Sequence, residues 1–165
     1  MKSLAFMAME FAREVHKNQV RKYTENPYAD HLAEVAGVVS TIHAEEEVIA
    51  TAWLHDCIED QGVTREDLVE KFGQIVASGV YLLSDLEEGN RKERKHQARL
   101  RLTCAPYWVQ NIKVADLISN TSSIVKHDPK FAKVYLEEKR LLLDVLTKAD
   151  SNLLEIARNQ AKDFL

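Results

Sequence analysis

One histidine and three carboxylates crowd into His55-Asp56-Cys57-Ile58-Glu59-Asp60, directly after the apolar run Val48-Ile49-Ala50-Thr51-Ala52-Trp53-Leu54. On a helix, side chains three and four apart share a face. His55 and Glu59 are four apart, as are Asp56 and Asp60, and Asp56 and Glu59 are three apart. The spacing predicts one helical face with an imidazole and three carboxylates, on a helix whose preceding turns are buried. Neighbouring carboxylates taken out of water are costly unless a cation or a hydrogen-bond network compensates. A divalent metal ion is the simplest compensation. The segment is therefore read as metal-binding or catalytic, in preference to a solvated acidic helix end before Gly62.

Three other segments carry groups that could join this face. His31, in Pro27-Tyr28-Ala29-Asp30-His31-Leu32, sits one turn into an amphipathic helix and becomes a ligand only with a partner cluster. Asp116 lies among apolar residues in Ile112-Lys113-Val114-Ala115-Asp116-Leu117-Ile118-Ser119-Asn120. A buried mid-helix Asp has no cap to make and needs a partner; Asn120 follows four residues later. Two imidazoles with two or three carboxylates form a mixed site suited to Mn²⁺, Fe²⁺, Co²⁺ or Zn²⁺. Gln19-Val20-Arg21-Lys22-Tyr23 is a basic turn, either a solvated loop or an anion clamp in which Arg forks onto phosphate and Lys adds a point charge.

Arg91 to Arg101 is the strongest basic run. Most of it reads as a solvated helix face, with one or two side chains able to draw a polyphosphate toward a metal. His127-Asp128 is a decoy, since Asp128 before Pro129 reads as an ordinary helix start. His16 and His43 have no carboxylate constellation of their own and are read as structural.

The elements that position these groups are helical. Leu4, Met7, Ala8, Phe11, Ala12 and Val15 form one apolar stripe, giving a helix to about Lys17. Asn26 can cap a second helix with Pro27 at its first position. A third, acidic at its start, runs from Glu45 to near Asp60. Thr64-Arg65-Glu66-Asp67 resembles a capping box for a short helix ended by Phe72-Gly73. Further helices are expected over Ile75 to about Leu86, Arg91 to Thr103, Pro106 to about Val125 and Pro129 to about Lys148. A last one is capped by Asp150 or Ser151. Five Gly and three Pro in 165 residues are too few for the frequent turns of a β fold. The expectation is a single all-α domain over residues 1–165, with eight to ten helices. Net charge −4 argues against general nucleic-acid binding. The two cysteines form no CxxC pair, no run approaches membrane-span length, and the N-terminus is too charged for a signal peptide. A cytoplasmic setting with no membrane partner follows.

In order, these segments resemble the HD-domain metal-dependent phosphohydrolases, and most closely the hydrolase domain of RelA/SpoT-type proteins and their small stand-alone relatives. The resemblance rests on His16-Lys17-Asn18-Gln19-Val20-Arg21-Lys22, on Pro27 to His31, on His55 to Asp60 and on Lys113 to Asn120. It implies an HD-type helical bundle that hydrolyses guanosine tetra- or pentaphosphate, removing the 3′-pyrophosphate with one Mn²⁺. His31, His55, Asp56 and Asp116 would hold the metal. Glu59 and Asp60 would orient or deprotonate the attacking water. Arg21 and Lys22 would hold the nucleotide, and Asn120 and Tyr135 would line the ribose and phosphate pocket. Leu32 stands where the family commonly has Pro, and Leu117-Ile118-Ser119 where the larger proteins carry Arg-x-His. These departures bear on base and phosphate specificity. With no synthetase region in the chain, an alarmone enzyme of this kind is expected only to degrade. The alternatives are a nucleotidase or phosphodiesterase of the same superfamily and a non-catalytic nucleotide-binding HD domain.

Overall fold

The computed structural model describes residues 1–162. These form ten α-helices: α1 Leu4–Val15, α2 Tyr28–Ser40, α3 Glu46–Leu54, α4 Cys57–Gln61, α5 Arg65–Phe72, α6 Gln74–Leu83, α7 Arg91–Thr103, α8 Tyr107–His127, α9 Pro129–Val145 and α10 Ser151–Lys162. The only β-type pairing among the described residues is an isolated antiparallel bridge between Val20 and Pro27. The all-α expectation therefore holds. The chain divides into two compact units, Met1–Leu86 and Glu87–Leu165.

In the first unit α3 is central, with α1, α2 and α6 packed on it. Its apolar run leaves no wide polar face, which is the pattern of a helix enclosed by others. Ala50 and Leu54 meet Ala8 and Ala12 of α1, Leu32 of α2, Leu68 and Phe72 of α5, and Val76, Ala77 and Val80 of α6 in one core. The α5 start is a reciprocal capping box between Thr64 and Asp67, as its sequence predicts. In the second unit α8 packs against α9 and α10, and α7 against α9. Asn90 and Glu93 form a second capping box at the head of α7. Asp128 caps α9 through the Phe131 N–H, and Asp150 accepts from the N–H groups of Asn152 and Leu153 at the head of α10.

Two expectations are corrected. The cap of α2 is Pro27, not Asn26. The Asn26 carbonyl instead accepts from Arg21 N at 2.8 Å, while Tyr28 N donates to Gln19 O at 2.9 Å, pinning the loop between α1 and α2. The helix expected from Glu45 to Asp60 is interrupted. It stops at Leu54, and a new turn starts at Cys57. His55 Nδ1 donates to the Ala52 carbonyl at 2.7 Å, so the ring satisfies a helix-end acceptor. Asp56 then takes φ −104°, ψ 0°, in the sparsely populated bridge region. Gly62, at φ 65°, ends α4 in the left-handed conformation that glycine accommodates.

Candidate active site

The interruption after α3 aims His55 and Asp56 at α2. His31 and His55 are 1% and 2% exposed, and their rings stand 5.4 Å apart in an edge arrangement. Asp56 Oδ2 lies 3.1 Å from His55 Nε2 and 3.6 Å from His31 Nε2. It also accepts from the Tyr28 hydroxyl at 2.6 Å. Because His55 commits its Nδ1 proton to a carbonyl, Nε2 faces the carboxylate oxygen either as N–H or as a lone pair. At 3.1 Å these two atoms are as close as donors that share a proton or a cation. Ligand bonds of about 2.1 Å set neighbouring donor atoms on one ion roughly 3.0–3.5 Å apart. The His55–Asp56 pair falls in that range and His31 Nε2 lies just beyond it, so the two imidazoles and the carboxylate are a donor set of the kind a divalent ion takes. The carbonyl behind His55 is the outer support that orients ligating histidines in metal sites.

Around this cluster the first unit places the other expected residues at different depths. Glu59 is exposed and accepts the Asp85 N–H at 3.0 Å. Asp60 is exposed as a residue, yet its carboxyl is crowded by Gln19, Tyr28 and Asp56. Burial of that group, reinforced by the Asp56 charge, raises its pKa above the usual carboxylate value, while bonds from Gln19 and Tyr28 and the nearby His16 oppose the shift. Arg21 carries its guanidinium over the Tyr28 ring, 5.9 Å from the centroid, one side chain away from Asp56. Lys22 lies over Tyr23 at 5.1 Å. Cys57 is buried, and its thiol is pushed up to about 12, mainly by burial and then by Asp56.

The second unit holds the remaining residues. Asp116 is buried in the middle of α8. Its Oδ1 accepts from Asn120 Nδ2 at 2.8 Å, and its Oδ2 from Lys113 Nζ at 3.0 Å. Helical spacing of three and four residues thus supplies both partners. Tyr135, on α9, donates its hydroxyl proton to Leu117 O at 3.3 Å and lies 3.4 Å from Thr121 Oγ1. The basic run is largely committed at its ends: Arg91 forks onto Glu138 at 2.7 and 2.8 Å, and Arg101 pairs with Glu87.

Four polar residues outside the sequence-predicted site set take part. Tyr28 bonds Asp56, Gln19 donates to Asp60 Oδ2 at 3.1 Å, and Lys113 holds Asp116. His16, read as structural, is bonded to Gln19 and stacked on Tyr28. The i, i+3 pairs His16–Gln19 and Lys113–Asp116 were visible as spacings; the links to Asp56 and Asp60 span 28 and 41 residues and were not.

The family profile described as HD domain matches residues 8–102, more than half of the chain and including His31, His55 and Asp56. The chain belongs to the HD-domain family. This HD domain is 31% identical, over 81% of its own length, to the guanosine-3′,5′-bis(diphosphate) 3′-pyrophosphohydrolase of Aquifex aeolicus, of which it spans 18%. It is 34% identical to the Xenopus tropicalis guanosine-3′,5′-bis(diphosphate) 3′-pyrophosphohydrolase MESH1, covering 78% of this chain and 73% of that one. Its fold matches that of a solved protein described as a metazoan ortholog of SpoT that hydrolyzes ppGpp. The TM-score there is 0.91 at 23% identity, over 100% of this chain and 98% of the other. The chain thus spans less than a fifth of the long bacterial relatives it matches. No helix among the described residues is long and apolar enough to cross a membrane.

Proposed function

We propose that this HD domain is a metal-dependent 3′-pyrophosphohydrolase of guanosine 3′,5′-bis(diphosphate), converting it with water to GDP and pyrophosphate. The observation that carries the reading is the meeting of His31 Nε2, His55 Nε2 and Asp56 Oδ2 in a chain of this family. Relatives named for that activity, one of them matched over most of its length, support the substrate class.

His31, His55, Asp56 and Asp116 are the proposed ligands of one divalent ion, with Mn²⁺ the leading candidate for a mixed imidazole and carboxylate set. When bound, such an ion polarises the phosphorus centre and lowers the pKa of attacking water. The protein's own residues do the rest. Glu59 and Asp60 lie on the turn that follows the ligand pair, where a carboxylate can take the proton of the attacking water. The water oxygen bonds to the phosphorus attached at the ribose 3′-oxygen, the bond to that oxygen breaks, and a proton returns to it. Arg21 and Lys22 neutralise the polyphosphate, the first as a fork beside Tyr28. Asn120 and Tyr135 are assigned to the ribose and phosphate pocket. The partner is a small nucleotide, with no nucleic acid or membrane. The two free cysteines, one of them exposed, suit a reducing cytoplasm.

The test is a nucleotide panel with Mn²⁺, following pyrophosphate and orthophosphate separately. Pyrophosphate and GDP from guanosine 3′,5′-bis(diphosphate) are expected. Orthophosphate alone, or preference for a nucleotide without a 3′-pyrophosphate, would reassign the chain to a nucleotidase or phosphodiesterase.

A further inference from the structure

His16 closes α1 as its C-cap residue and is 1% exposed. Its Nδ1 lies 2.6 Å from Gln19 Oε1. The same Gln19 oxygen accepts from Gln61 Nε2 at 2.7 Å, while Gln19 Nε2 donates to Asp60 Oδ2 at 3.1 Å. The amide can face only one way. Reversed, its NH₂ would meet the Gln61 NH₂ and its oxygen would meet a carboxylate. Gln19 Oε1 is therefore the acceptor, and His16 Nδ1 carries the proton it receives. His16 Nε2 is buried with no hydrogen-bond partner among the described residues, so the ring makes its one polar contact through Nδ1. The ring also stacks on Tyr28, 5.3 Å between centroids at 24°, and the Tyr28 hydroxyl holds Asp56.

We propose that His16 is a positioning residue: its Nδ1–H fixes the amide of Gln19, and Gln19 in turn fixes the Asp60 carboxylate toward the attacking water. The inference rests on the assignment of Asp60 to proton handling above. Asp60 lies on the short α4, its carboxyl crowded by Asp56 and Tyr28, and Gln19 gives it an amide donor at 3.1 Å. A group that acts on a proton must be held in the productive geometry by neighbours that are themselves locked. Gln19 is half-buried, and its amide needs a fixed partner to hold one orientation. The buried His16 ring gives it one orientation. His16 touches neither the donor cluster nor the reacting atoms.

The test compares two substitutions in the full chain. His16→Phe keeps a ring against Tyr28 and removes the donor. His16→Asn places an amide N–H where Nδ1–H stands and gives up the stack. For His16→Phe, kcat should fall about 10–100-fold, the effect of a mispositioned reacting group, with KM and Mn²⁺ affinity unchanged. His16→Asn should restore most of it, and adding His16→Phe to Gln19→Leu should cost nothing further. The activity-independent readout is the Gln19 side-chain amide signal in ¹⁵N NMR: displaced in His16→Phe and returned in His16→Asn. Wild-type kcat in His16→Phe, or a loss that His16→Asn does not rescue, overturns the proposal by assigning the ring to packing alone. If wild-type protein leaves guanosine 3′,5′-bis(diphosphate) intact, the substrate reading fails by itself. The Gln19 signal then still decides, and an unmoved signal in His16→Phe overturns the positioning role.

Discussion

The two units hold their central carboxylates in opposite ways. Asp116 sits in the middle of a 21-residue helix, and both its oxygens are bonded by side chains of that same helix, Lys113 and Asn120. Asp56 sits where a helix has stopped, and it is oriented by Tyr28, 28 residues earlier, and by the flanking imidazoles of His31 and His55. The two Asp116 bonds are local to α8. The Asp56 arrangement exists only once α2, α3 and the loop before Tyr28 have packed.

If the chemistry as well as the metal rests on the broken-helix unit, Glu59→Gln should have the largest effect. The substitution keeps shape and removes a base, so turnover should fall by roughly two to four orders of magnitude with metal content unchanged. Metal analysis and kcat on one preparation decide it. Lost metal would make Glu59 a support of the donor set. Retained metal with near-normal kcat would move proton transfer to Asp60.

Arg21→Ala sharpens the picture of the loop that carries Tyr28. Loss of a charge-assisted phosphate contact should raise KM by an amount worth on the order of 1.5–3 kcal/mol, with helicity and metal content unchanged. Unaltered kinetics would leave the loop merely solvated. Tyr28→Phe and Lys113→Met then set the two carboxylates directly against each other. Losing an outer support typically costs a metal site about 10–100-fold in affinity, and Tyr28→Phe should fall in that range. Lys113→Met should cost less, because Asn120 still holds the other oxygen of Asp116. Calorimetric Mn²⁺ titration checks both, and equal losses would erase the distinction between local and tertiary support.

How far the site was legible in the chain follows the same division. Helical spacing alone put Asn120 on the face of Asp116, and the helical pattern from Arg91 marked the start of α7, where the structure adds the Asn90–Glu93 capping box. For His55 to Asp60 the spacing named His55, Asp56 and Asp60, which stand near one another, but on a mistaken scaffold, and Glu59 accepts the Asp85 N–H instead. The apolar run continues the helical pattern through Leu54, and nothing local announces that the His55 ring will take the Ala52 carbonyl. Tyr28, Gln19 and His16 were beyond reach for the same reason: their roles are contacts between distant segments. Lys139 was hidden differently. It looks like a surface lysine, yet it is 1% exposed, with Nζ donating to Thr121 Oγ1 at 2.8 Å and Gln160 Oε1 at 2.9 Å.

Burial lowers the Lys139 pKa from its ordinary 10.5 to about 8. Between those values the unfolded chain binds a proton that the folded chain does not, so this residue makes stability rise with pH across that window. Below about pH 8 the folded protein carries the full cost of a buried ammonium. Lys139→Met should therefore be most stabilising relative to wild type near neutral pH, with the gap narrowing toward the ordinary lysine value. Denaturation midpoints of both proteins against pH test this smallest effect. A constant gap would mean the amine does not titrate in the window.

The most direct test of the account is Mn²⁺ binding by wild type, Asp56→Asn and Asp116→Asn, each with its secondary structure checked by circular dichroism. One ion per wild-type chain is expected, removable by chelation together with pyrophosphate release, and both variants should lose it. Full Mn²⁺ occupancy in either folded variant would contradict the proposed donor set.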